Sequence, residues 1–345
     1  MGLKQYNIDA ISPLFTEDDI VIFGVLNWGL GHAARCIPII EWLQSNCKKV
    51  IIASDGSALK FLQLNFPQGT FEILPSYGIR YKYENIALNI ADSSISIIKA
   101  VLQERRVIKQ IVKKYQATKV VSDNRLGLYT ADCISIYITH QVNILHSNKL
   151  LSFLGTQAHR MFYRQFDKLL IPDFKGKNAL GTQLSQISDE KAIYLGALTR
   201  INKLDIEKTI DVLVLLSGPE PQRTIFENGL LKELNGLTSL QIRFIRGTNT
   251  KLHVEDTLKS HIKISDISNT QEMETMLNSC KLLISRSGYT TIMDTFELNI
   301  PTIWIPTPGQ TEQEYLADIS INNATQIKLN QNELNKLQKI IISMI

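Results

Sequence analysis

"DIVIFGVLNWGLGHAAR", Asp19 to Arg35, reads as a strand, a glycine-bearing turn and the opening of a helix. Its near-continuous apolar run, rich in β-branched residues, is what a strand covered on both faces requires. Gly29 and Gly31 permit positive φ and let backbone approach a ligand closely, and the first amides of the following helix are open to an anion. His32 stands at the edge of this turn, where an imidazole can act as a general base near neutral pH. A structural turn with an N-capping histidine needs the same residues, so both readings stay open here. The Gly-x-Gly-x-x-Gly spacing of a dinucleotide fold is missing, which disfavours a nicotinamide cofactor. A helix beginning near Arg35 would leave Pro38 in its first turn, where its lost N–H has no intrahelical partner anyway.

Outward from this stretch the same alternation recurs. "KKVIIAS", "TFEILPS", "TKVVSD", "SIYITHQ" and "KLLIPDF" are strand-like runs separated by helix-period segments, and the pattern pauses over the polar "KGKNALGTQLSQISDEKA". It restarts after "IYLGALTR" with "DVLVLLSG", "QIRFIRG", "HIKISDIS", "CKLLISRSG" and "PTIWIPT". The expected fold class is therefore α/β, with two Rossmann-like, doubly wound domains facing a cleft: residues 1–175, a linker at 176–192, and residues 193–345. Ligands of such sheets bind beyond the carboxyl ends of the strands, so loops that follow strands are where chemistry is expected.

The chain has 345 residues, 44% of them hydrophobic and 20% charged, enough for two ordinary cores and too apolar for disorder. No apolar run reaches the ~18–20 residues of a membrane span, and the N-terminus lacks signal-peptide character, which makes a cytoplasmic protein the expectation. Four scattered cysteines, Cys36, Cys47, Cys133 and Cys280, suggest neither a disulfide framework nor a metal site. Residues 1–175 carry 20 Lys/Arg against 14 Asp/Glu (20 − 14 = +6), and the remainder 17 against 19 (17 − 19 = −2). Much of the excess lies in Lys99 to Lys119, which reads as a solvated helix face or as a surface for anionic lipid or an anionic acceptor. Aromatic residues do not interleave with these charges, so nucleic acid is not an expected partner.

The second half holds the most informative segment, "SRSGYTTIMDTFELNIPTIWIPTPGQTEQEYLAD". Ser285, Arg286, Ser287 and Gly288 end a strand where a helix opens, an arrangement suited to a diphosphate. Thr290 and Asp294 share a helix face, which sets a carboxylate one turn from that point, where it can accept sugar hydroxyls. Gln310, Thr311, Gln313 and Glu314 lie in a polar loop and helix start that can hydrogen-bond a sugar ring. Ser217, Gly218, Glu220 and Arg223 follow another strand, and Arg246 ends the next, all on the expected nucleotide side. In the first half, "VVSDNRLG" and "YITHQ" bring Asp123, Asn124, Arg125 and His140 to neighbouring strand ends; an acceptor site, a second acid/base, or a buried ion pair would each use them. "LLSFLGTQAHRMFYRQF", with His159, Arg160 and Arg164, reads as a core helix or as a surface for a lipid-linked acceptor.

"SRSGYTTIMD" with "PTPGQTEQEYLAD" resembles the donor-site signature of the GT-B glycosyltransferases of family 28, the group of the peptidoglycan lipid-precursor N-acetylglucosaminyltransferase. "GLGHAAR" resembles that group's glycine-rich N-terminal loop, while "SDNRLG", "ITHQ" and "SGPEPQRT" look like a related bacterial set. The likeness implies that Asp294 is the ribose-binding carboxylate, that Gln313 and Glu314 contact the donor sugar, and that His32 lies near the reacting centre. Two features depart from the pattern: Gln313-Glu314 stands in place of a Gln-Gln pair, and "NWGLGHAAR" replaces a triple-glycine loop.

The implied activity is metal-independent, inverting transfer of a hexose or N-acetylhexosamine from a UDP-sugar to a hydroxyl, in cell-envelope glycan synthesis. His32 or Asp123 would be the base, and Arg35, Asn124, Arg125 and His140 would lie on the acceptor side. No cofactor beyond the nucleotide sugar and no metal is expected. The expected partners are the donor, a glycan or lipid-linked acceptor, and a membrane touched peripherally by the basic first domain. A UDP-sugar hydrolase of the same fold, which also carries Gly-x-Gly-His-x-x-Arg, and a non-catalytic nucleotide-sugar-binding protein remain alternatives.

Overall fold

A computed structural model describes residues 3–78, 86–146, 148–218, 220–248, 260–321 and 325–345. The chain divides into two compact units with the boundary between Arg200 and Ile201.

The first unit is built on seven parallel strands: β1 (Ile20–Val25), β2 (Lys49–Ser54), β3 (Thr70–Ile73), β4 (Lys119–Asp123), β5 (Ile134–Ile138), β6 (Lys168–Ile171) and β7 (Ala192–Tyr194). Their order is β3-β2-β1-β4-β5-β6-β7, so chain direction across the sheet reverses between β1 and β4. Helices α1 (Gln5–Ile11), α2 (Leu30–Asn46), α3 (Gly56–Asn65), α4 (Ile86–Tyr115) and α5 (Lys149–Tyr163) are the principal helices of its sequence. Ile22, Ile51, Val120 and Leu128 pack with Ile108 and Ile111 of α4 in one core cluster. Gly24 is required in β1, since a Cβ there would lie 1.9 Å from Leu128 Cδ2.

The second unit has the parallel order β10-β9-β8-β11-β12-β13, with β8 (Ile210–Leu215), β9 (Ile242–Ile245), β10 (Ile262–Ser265), β11 (Cys280–Ser285), β12 (Thr302–Trp304) and β13 (Gln326–Lys328). Here the reversal falls between β8 and β11. Helices α6 (Gln222–Leu234), α7 (Thr270–Ser279), α8 (Tyr289–Thr295), α9 (Thr311–Ser320) and α10 (Leu337–Met344) accompany it. Val212, Val214, Phe244 and Ile284 pack against Phe226 and Leu230 of α6, and α10 covers the same cluster with Leu337 and Ile341.

Three expectations are corrected. Residues 176–192 are not a linker: Asp173 organises them inside the first unit, its carboxylate accepting from Phe174 N (2.7 Å), Leu180 N (2.7 Å), Gly181 N (3.0 Å) and the Ser185 hydroxyl. β7, expected in the second domain, is the last strand of the first sheet, and residues up to Arg200 belong there, with Asn7 of α1 donating to Leu195 O and Ala197 O. The crossover is instead the exposed, irregular stretch 203–209. Helix α2 also starts five residues early, at Leu30, behind Gly29 at φ 79°, so Pro38 lies in its interior.

Candidate active site

In the first unit the site forms where β1 and β4 diverge. Val25 pairs with Asp123 across the sheet, and α2 springs from the β1 end. Because α2 begins at Leu30, His32 and Arg35 sit three residues apart on one helix face. Both turn to Asp123. His32 Nδ1 lies 2.6 Å from Oδ2, while Arg35 reaches Oδ1 through Nε (2.9 Å) and Nη2 (2.5 Å). Arg35 Nη1 is 2.8 Å from His140 Nδ1, and Nη2 is 2.9 Å from His32 Nδ1. Asp123 is fully buried, whereas the His32 side chain is 15% exposed.

The electrostatics follow from this packing. Burial drives the Asp123 carboxyl up, but Arg35 and then His32 pull it down further, and it ends below its ordinary value. Burial and then Arg35 push His32 below its ordinary value against the pull of Asp123. A neutral imidazole donating Nδ1–H to an ionised Asp123 has its basic lone pair on Nε2, the arrangement of a His–Asp general-base dyad. His140, with Arg35, belongs to this cluster. Asn124, at φ 56°, accepts from Tyr137 through Oδ1 (3.1 Å).

Arg125 is a correction. Its guanidinium is wholly buried and bonded to Glu104 Oε1 (2.5 Å), Asp55 Oδ1 (2.7 Å), Val25 O (3.1 Å) and Pro75 O (2.5 Å), so it ties α4 and three loops together instead of facing an acceptor. Asp55 and Glu104 escaped notice in the sequence because they lie 70 and 21 residues away from Arg125.

In the second unit the loops after β8, β11 and β12 carry the expected donor residues. Ser217 and Gly218 are exposed after β8, with Gly218 at φ 110° and open space at its Cβ position. Glu220, Arg223 and Arg246 are tied together in an ion-pair scaffold. Glu220 binds Arg223 Nε (2.6 Å) and the Thr224 hydroxyl (2.7 Å), and buried Glu227 takes Arg223 Nη1 (3.0 Å) and Arg246 Nε (2.5 Å). Arg246 also bonds Asp266 (2.7 Å). Two hydroxyls after β11 are structural as well: Ser285 donates to Leu215 O (3.1 Å) and Ser287 to Gln313 O (2.7 Å).

Arg286 differs from Arg35, Arg125, Arg223 and Arg246, which are paired with carboxylates. It is fully buried, stacked 3.8 Å above the Phe226 ring, and donates to neutral acceptors: Ile305 O (3.0 Å), Pro306 O (2.9 Å), Gln222 O (3.5 Å) and Gln331 Oε1 (2.5 Å). Burial pulls it down to about 9, which still leaves a cation at neutral pH. Its Nε, Gln222 Oε1, Thr307 Oγ1 and Gln310 Oε1 are buried with no protein hydrogen-bond partner, unmet polar capacity in the loops that follow β8, β11 and β12. Thr307 and Gln222 had no signature in the sequence that set them apart.

Beside these atoms, Gly288 caps α8 with nothing within 4 Å of a would-be Cβ, and Thr290 and Asp294 lie on the helix behind it, Asp294 buried. After β12, Gln313 Oε1 accepts from Thr307 N (2.8 Å) and Glu314 Oε1 from Gly309 N (3.1 Å), so both side chains shape the turn that presents Gln310 and Thr311. On the first unit Gly29 is the α2 cap, with open space at its Cβ position, and Gly31 lies in the first turn.

Comparison with known proteins bears on the fold that carries these residues. Residues 223–344 match the sequence model of the glycosyltransferase family 28 C-terminal domain. No curated protein matches the chain. Among solved structures, the calicheamicin glycosyltransferase CalG4 is similar with a TM-score of 0.64 at 12% identity, over 95% of this chain and 90% of that one. MurG of Acinetobacter baumannii gives 0.54 at 12% identity, over 94% and 91%. A putative UDP-N-acetylglucosamine 2-epimerase from Listeria monocytogenes gives 0.60 at 12%, over 95% and 88%, so the fold alone spans more than one chemistry. The protein thus has the GT-B fold seen in glycosyltransferases, and residues 223–344 of its second unit match the glycosyltransferase family 28 C-terminal domain.

Proposed function

We propose that this protein is an inverting, metal-independent glycosyltransferase that moves a hexose or N-acetylhexosamine from a UDP-sugar to a hydroxyl acceptor. The observation that carries the reading is the His32–Asp123 dyad at the reversal point of the first sheet, in a chain whose second unit is of the family 28 donor-domain type. His32 Nε2 takes the proton of the acceptor hydroxyl, the oxygen attacks the anomeric carbon, and the bond from that carbon to the diphosphate oxygen breaks, releasing UDP. Ionised Asp123 stabilises the imidazolium that forms.

On the donor side, Asp294 holds the ribose, and Gln310, Thr311 and Thr307 offer polar atoms to the sugar and phosphates. Ser217, Gly218 and Gly288 leave room for the nucleotide. Arg286 acts through its field, since a buried cation with no carboxylate partner favours an anion beside it. The acceptor is amphiphilic: Leu150, Leu151, Phe153 and Leu154 expose an apolar face on α5, and Ile98 and Leu102 are exposed on α4, a helix that also carries the basic run of the first unit. The protein works at the cytoplasmic face of a membrane in envelope glycan synthesis. No described helix is long and apolar enough to cross one.

The dyad could activate water equally well, which keeps UDP-sugar hydrolysis as the second reading. Thermal unfolding with a panel of nucleotides and nucleotide sugars tests the donor site, because a ligand specific to the folded state raises the midpoint, by about 2.7 kcal/mol of stability at a hundred times Kd. UDP or one UDP-sugar should stabilise the wild type and should act far more weakly on Asp294→Ala; no response to any uridine nucleotide overturns the UDP assignment. UDP release that requires no lipid or glycan acceptor would replace transfer by hydrolysis.

A further inference from the structure

One side chain in the dyad cluster is engaged with more partners than a simple ion pair would need. Arg35 lies on the His32 face of α2 and is almost completely buried. It reaches Asp123 from β4 with two nitrogens, His140 beyond β5 with a third contact, and His32 within its own helix. The thiol of neighbouring Cys36 and the Tyr137 phenol of β5 also face the pair.

The protonation pattern follows from what each atom can do. A guanidinium has only donors, so at 2.8 Å from Arg35 Nη1 the His140 Nδ1 accepts, and the proton of the neutral His140 ring is on Nε2. At 2.6 Å from an ionised carboxylate oxygen, His32 Nδ1 carries a proton, since two lone pairs would otherwise face each other. The Nη2 approach to that same nitrogen is then a packing contact, and Nη2 gives one of its two hydrogens to Asp123 Oδ1 at 2.5 Å.

We propose that Arg35 is a positioning residue that sets the two histidines in opposite tautomers, His32 as a base through Nε2 and His140 as a donor through Nε2–H. The assignment rests on the proposed reaction for its use and on the geometry alone for its existence. In that arrangement His32 presents its basic lone pair to the acceptor hydroxyl through Nε2 while Asp123 holds its other ring nitrogen. Arg35 also keeps Asp123 ionised, which preserves the His32 tautomer.

Nitrogen-15 NMR of the histidine rings tests this without any substrate, with His32→Gln and His140→Gln used to assign signals among the six histidines. At pH 7.5 the wild type should show His32 protonated at Nδ1 and His140 protonated at Nε2. A His140 proton on Nδ1, or a His32 proton on Nε2, overturns the proposal. In Arg35→Gln, His140 should become a mixture of tautomers and the His32 titration should move up by about one pH unit or more. Arg35→Lys, which keeps the charge without the fork, should restore the His32 titration and leave His140 mixed. Unchanged tautomers and titration in folded Arg35→Gln would also sink it. The wild-type spectrum decides the tautomers, and Arg35→Lys carries the test of Arg35 itself where Arg35→Gln fails to fold. Correct tautomers in a protein that transfers no sugar would fault the functional reading instead.

Discussion

His32 gains its role from a neighbour 91 residues away in the chain. Its removal should therefore abolish the chemical step and leave donor binding in place: His32→Ala is expected to lower kcat by roughly 10²–10⁴, with the UDP-induced thermal shift retained. Asp123→Asn should also lower kcat, with the fold intact. Since the cluster holds His32 below the ordinary histidine value, the base is already neutral through mildly acidic conditions. The acid limb of kcat/KM should accordingly fall below about pH 6.5, and a limb above that value in the wild type would contradict the dyad geometry. Arg125 gives the opposite pattern. Arg125→Met strips Glu104 and Asp55 of their counter-charge and should cost about 3–5 kcal/mol in urea unfolding. Asp123 and His140 were legible in the sequence as polar residues at strand ends, and His32 and Arg35 as part of the glycine turn and helix opening after the first strand. That Arg35 joins them while Arg125 turns inward was not, because the register pairing Val25 with Asp123 decides it.

At the level of elements, the long strands were legible because β-branched runs such as "DIVIFGV" and "CKLLIS" allow little else. The three-residue strands β7 and β13 gave no comparable signal, being too short for a period to show. The polar run at 176–192 imitated a linker because its order comes from one buried carboxylate, Asp173, that precedes it. The donor loop was read correctly as a strand–turn–helix, yet its serines and its Gln-Glu pair bond to backbone, a use that composition cannot distinguish from ligand contact. Phe226 links α6 to this loop by supporting the Arg286 guanidinium. Phe226→Ala should cost about 3–5 kcal/mol of stability and weaken the nucleotide-dependent thermal shift, whereas Phe226→Leu should retain most of both.

For the whole molecule, the charge asymmetry between the halves has a use if the basic half meets anionic lipid. The protein should float with vesicles containing anionic lipid at low ionic strength and release as salt rises. Leu151→Glu with Leu154→Glu should abolish flotation and leave hydrolysis or transfer to a soluble acceptor intact; unchanged flotation would remove α5 from the acceptor face. The seven-strand order of the first sheet has one more consequence. β7 covers the flank of β6, whose Leu169, Leu170 and Ile171 are buried. A fragment ending at residue 175 would leave that flank as a bare apolar edge with unpaired amides, a template for β-sheet aggregation. One ending at Arg200 keeps the edge paired, so the short strand at the end of the unit acts as its guard against self-association, and light scattering of the two fragments should separate them.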